Sequence, residues 1–111
     1  MCLVHHQILS ESYLLVLAPG AHADEPEDAL AQGLSRASRS GKPAVWVDCG
    51  QLPRLSPEAT MLLWAYHYKL QQQNVPLVLA RAAPEIQGQL EGKGQRPGLR
   101  MVPSLSEAAL G

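Results

Sequence analysis

Apolar and polar positions alternate along this chain with two different periods, and the changes of period divide it into strands and helices. Residues 2–9 form a strand diluted by His5, His6 and Gln7, as suits a sheet edge. After the short polar turn 10–12, the unbroken apolar run 13–18 (YLLVLA) predicts a strand buried on both faces, ended by Pro19 and Gly20. Asp24, Glu25 and Pro26 make a helix start, because acidic side chains favour the positive end of the helix dipole and proline is tolerated in the first turn. Leu30, Leu34 and Ala37 then fall on one helical face, and Ser40 and Gly41 close the helix.

A second buried strand is predicted over 44–47 (AVWV), followed by a loop over 48–55. The next helix has the clearest start in the chain: Ser56 caps, Pro57 has φ pre-set for the first position, and Glu58 suits the dipole. Its inward stripe is Ala59, Leu62, Leu63, Tyr66 and Leu70. Asn74 ends it and Pro76 forbids continuation. Further along come a buried strand over 77–80, a short helix over 84–90 carrying Ile86 and Leu90 inward, and a glycine-rich loop over 93–98. A short strand over 99–102 and a final helix capped by Ser104, with Leu105, Ala108 and Ala109, complete the chain. Strands alternating with helices predict an α/β domain: a mixed, mostly parallel sheet of about five strands with about four helices and an antiparallel N-terminal edge strand.

With 111 residues the chain suits one domain spanning 1–111. A net charge of −1 gives no electrostatic footprint for nucleic acid or anionic membrane, and the densest basic group, Arg36, Arg39 and Lys42, fits a solvated helix end. Cys2 and Cys49 are too few for a disulfide scaffold. No apolar stretch is long enough to span a bilayer, and residues 1–7 lack the pattern of a signal peptide, so a cytoplasmic setting is expected.

The order of elements, together with 45–48 (VWVD), the loop-to-helix junction 55–63, 74–79 (NVPLVL), 98–103 (GLRMVP) and 106–110 (SEAAL), resembles the STAS family (sulfate transporter and anti-sigma factor antagonist) over nearly the whole chain. The resemblance implies a non-enzymatic regulatory module that docks on protein partners, without a cofactor. In that family a partner kinase phosphorylates the first serine of an Asp-Ser-Ser-Gly motif at the start of the second helix, and the added charge blocks docking. The matching positions here are Ser56, Pro57, Glu58 and Ala59, so the phosphoacceptor position is Pro57, which cannot carry a phosphate. Three readings of this junction stand side by side. Ser56 is only a cap; or Ser56 is itself phosphorylated, one position early; or Glu58 supplies a permanent negative charge.

The resemblance places the partner surface around the N-terminal part of this helix, with Leu52, Arg54, Ser56, Glu58 and Thr60. Trp64, His67 and Tyr68 lie off the inward stripe, and Trp64 and Tyr68 adjoin on one helix face, which adds an aromatic patch of the kind enriched at binding hot spots. The implied partner is an anti-sigma factor of kinase-like type. Alternatives are a subunit of an ABC-type lipid transporter, with this chain as its cytoplasmic accessory subunit, or a larger stress-sensing assembly. A homodimer is compatible with all of them.

Other constellations are weaker. Cys49 and Arg54 have a Cys-x4-Arg spacing that resembles the sulfurtransferase loop of rhodaneses, but Pro53 removes an N–H donor and Leu52 would crowd an anion cradle. The competing reading makes Cys49 a small packed hydrophobe. His5 and His6 point to opposite faces of a strand, and His22 and His67 have no ligand spacing with them, so no metal site is expected. Asp24, Glu25, Glu27 and Asp28 read as a solvated helix start rather than paired catalytic carboxylates.

Overall fold

The computed structural model describes residues 2–9, 11–19, 28–91 and 100–102. The elements are β1 (Cys2–Ile8), β2 (Tyr13–Pro19), α1 (Asp28–Ser38), β3 (Val45–Asp48), α2 (Pro57–Gln71), β4 (Leu77–Ala80), α3 (Pro84–Glu91) and β5 (Arg100–Val102). They build one five-stranded sheet in the order β1-β2-β3-β4-β5. β1 pairs antiparallel with β2, and every later neighbour is parallel. The expected α/β architecture with an antiparallel edge strand is therefore present. Three helices stand among the described residues; the expected fourth, capped by Ser104, and the acidic helix start at Asp24, Glu25 and Pro26 lie outside them.

Right-handed crossovers that always step the same way across a sheet must leave their helices on one side of it. That is what the core shows. Leu30 and Leu34 of α1, Leu63 and Leu70 of α2, and Ile86 and Leu90 of α3 all pack into one cluster with Leu15, Val47 and Leu79 from one face of the sheet. The alternate strand positions, Leu14, Trp46, Val78, Ala80 and Val102, form a smaller buried cluster on the other face, to which no described helix contributes. The runs 13–18, 44–47 and 77–80 read as continuous apolar stretches because both faces of their strands are largely buried.

Local chemistry sets the helix limits. α1 comes close to the sheet because Gly33 has no side chain: a Cβ there would stand 3.2 Å from both Val4 Cγ1 and Leu15 Cδ2. α2 ends where Asn74 enters the left-handed region (φ 60), and the Val75 amide donates back to the Leu70 carbonyl at 2.9 Å. No helix among the described residues is long and apolar enough to cross a membrane.

Candidate docking surface

The loop between β3 and α2 leaves the carboxyl ends of the strands, where open parallel sheets place their functional groups. Two side-chain contacts from distant parts of the chain hold it. At its start, the carboxylate of Asp48, only 1% exposed, accepts from the Gly50 amide (2.9 Å) and takes both prongs of the Arg81 guanidinium, Nε at 2.9 Å and Nη2 at 2.5 Å. That contact holds Arg81 above its ordinary pKa, through the hydrogen bond first and the carboxylate charge second. Arg81 has φ 56, an uncommon conformation for a residue with a side chain. Gly50 leaves room for this arrangement, since a Cβ there would lie 2.6 Å from the guanidinium carbon and the Arg81 side chain would have to shift. At the other end of the loop, the Gln89 amide of α3 bonds both backbone groups of Leu55: Oε1 accepts from its N–H (2.9 Å) and Nε2 donates to its carbonyl (2.8 Å).

From Leu55 the chain turns into α2. Ser56 is extended (φ −70, ψ 159), and its Oγ accepts from the Ala59 amide at 3.1 Å, while Pro57 opens the helix. Ser56 is thus an N-cap and half-buried. Arg54, Pro57 and Glu58 are exposed around it. Met61, one turn further on, is 69% exposed, the largest exposure of any large apolar side chain of α2.

Two residues expected at this surface lie deeper. Thr60 is only 3% exposed, and its hydroxyl donates back to the Ser56 carbonyl at 3.1 Å. Leu52 is half-buried against the main core. The aromatic group is real but tilted inward. Trp64 packs partly on the core, stacks with Tyr68 (centroids 5.9 Å apart, 28° between planes) and meets His67 edge-on at 5.6 Å. The Trp64 Nε1 is buried without a hydrogen-bond partner among the described residues. Partial burial pushes His67 below its ordinary pKa of 6.5. Trp64 is therefore as much a strut under α2 as a feature of its surface.

The Cys-x4-Arg alternative finds no support in the geometry. Cys49 is 0% exposed and belongs to the main core, whereas Arg54 is exposed. A sulfur carrier needs a thiolate that a donor can reach. The sequence pointed to Asp48 only as the end of an apolar strand. Arg81, Gln89 and Met61 were not singled out, and the first two could not be, since their partners lie 33 and 34 positions away.

No family model matches the sequence, and no curated protein sequence matches it either. Solved structures do match in shape. The NMR structure of the protein TM1081 superposes with a TM-score of 0.75 at 8% identity, covering 93% of this chain and 82% of that one. A serine-to-glutamate variant of Moorella thermoacetica RsbS superposes with a TM-score of 0.75 at 13% identity, covering 93% of this chain and 88% of that one. Identities this low establish the fold alone, and with the sheet order and helix placement given above they establish it as STAS-like.

Proposed function

We propose that this protein is a regulatory protein–protein interaction module of the anti-sigma factor antagonist type, acting in the cytoplasm. It docks through the loop over 49–55 and the first turns of α2. The observation that carries this reading is the exposed set Arg54, Pro57, Glu58 and Met61, mounted on a loop held at both ends by Asp48–Arg81 and Gln89–Leu55. A surface that is fixed before binding loses little conformational entropy on docking. Leu52, Ser56 and Thr60 support that surface from beneath, and Trp64 and Tyr68 border it.

Docking here runs without a serine phosphate at the first helical position, because Pro57 occupies it. Ser56 acts as a cap, since its oxygen already serves the Ala59 amide and a phosphate there would have to displace that bond. The constant charge of Glu58 beside the helix start takes part in partner choice. Affinity capture from the source organism tests this, with wild type compared against Met61→Asp and Glu58→Lys. One dominant protein partner is expected, and its recovery falls with either variant while the melting temperature holds. Equal recovery by all three proteins would refute docking through α2.

A further inference from the structure

The two edges of the sheet are not alike. β5 is three residues long and carries Arg100, whereas β1 runs for seven residues, CLVHHQI, with no proline, no lysine, no arginine and no carboxylate. Proteins usually blunt a long edge strand with one of those devices, because its unpaired amides and carbonyls invite another strand. The direction of those groups follows from the ladder. The Leu9 amide donates to the Ser12 carbonyl, and the Tyr13 amide donates the other way, to Ala44 on the β3 side. Since bonding alternates along an antiparallel pair, His5 and Gln7 bond inward to Val16 and Leu14, and the backbones of Val4, His6 and Ile8 face outward.

We propose that two copies of this chain dimerise edge to edge through β1, about a twofold axis at His5, to give a continuous ten-stranded sheet. Antiparallel pairing about His5 sets Val4 opposite the partner's His6 and Cys2 opposite the partner's Ile8. Every outward-facing backbone of β1 then meets an outward-facing one.

The helix above the strand fits the same axis. Gly33 sits over Val4 and His6, the two residues flanking His5, so the middle of α1 lies beside the dyad. Strands are spaced by about 4.8 Å, so a helix over the β1–β2 pair lies about 5 Å from the axis and about 10 Å from its copy, a normal packing distance for helices. Charge follows the symmetry as well. The outer face of α1 carries acidic Asp28 in its first turn and basic Arg36 in its last, with Gln32 midway. Antiparallel apposition about Gln32 therefore brings Asp28 to the partner's Arg36, twice. α2 remains away from the axis, so the dimer presents two docking surfaces.

Sedimentation velocity over a range of protein concentrations, joined to amide hydrogen exchange, tests this on the full chain. Wild type is expected to dimerise, with the Val4, His6 and Ile8 amides slowing as dimer forms. Val4→Pro removes an outward donor at an edge, where proline is tolerated, and is expected to give monomer. Should that variant fail to fold, a charge swap on the surface of α1 decides. Arg36→Glu is expected to weaken the dimer about tenfold at low salt, and Asp28→Arg added to it to restore the association. A monomer at every concentration overturns the proposal. So does a dimer that ignores both the Arg36→Glu change and the β1 amides.

Discussion

Helices α1 and α2 lie side by side on the same face of the sheet, yet they spend their surfaces differently. α1 buries Leu30, Gly33, Leu34 and Ala37 and turns polar residues outward, so its sequence pattern and its burial agree. α2 buries Ala59, Thr60, Leu63 and Leu70, half-buries Leu62, Trp64 and Tyr66 on the flanks, and still leaves Met61 and Ala65 exposed. One apolar stripe is enough to seat a helix on a sheet. The surplus on α2 lies next to the loop fixed by Asp48 and Gln89, which is why we read α2 as the docking helix.

The sharpest way to break this contrast is to truncate equivalent apolar residues. Leu34→Ala in α1 and Leu63→Ala in α2, both fully buried, should each lower stability by about 2–5 kcal/mol in chemical denaturation. Met61→Lys on the outer face of α2 should change it by less than about 0.5 kcal/mol. A large loss at Met61 would mean that the outer face of α2 is structural. Next in size is the cap: Ser56→Ala should cost about 1 kcal/mol, and Ser56→Asp should recover most of it. Gln89→Leu keeps side-chain bulk but leaves both backbone groups of Leu55 without their partner. It should raise the exchange rate of the Leu55 amide more than that of any amide in α1.

The smallest expected effect is on pH dependence. Partial burial lowers His67 on α2, and burial, then Arg36, then His5, lower His6 beside α1. A histidine with a depressed native pKa binds fewer protons folded than unfolded, so stability is full above the ordinary value of 6.5 and falls as pH drops through it. His67→Gln should flatten part of that fall in melts recorded across this window. An unchanged slope would assign the fall to His6.

Much of this was legible from residue order. The runs 13–18, 44–47 and 77–80 read as strands buried on both faces, and Ser56, Pro57 and Glu58 read as a helix start, because such preferences act within a few residues. Periodicity also placed Leu30, Leu34 and Ala37 inward without help from the fold. What periodicity could not separate was Thr60 from the surface. A hydroxyl one turn into a helix looks exposed until its bond to the Ser56 carbonyl and its burial are known.

The chain order by itself determined the alternation of strands and helices, the caps, and the absence of a serine at the position that Pro57 fills, since each is a matter of neighbouring residues. Only the tertiary structure decided that Arg81 closes over Asp48, that Gln89 grips Leu55, that Cys49 is sealed in the core and that Met61 is not. Those outcomes join residues more than thirty positions apart, or depend on which face a neighbouring element covers. Packing sets them, because a side chain's local preferences carry no information about what arrives from elsewhere in the chain.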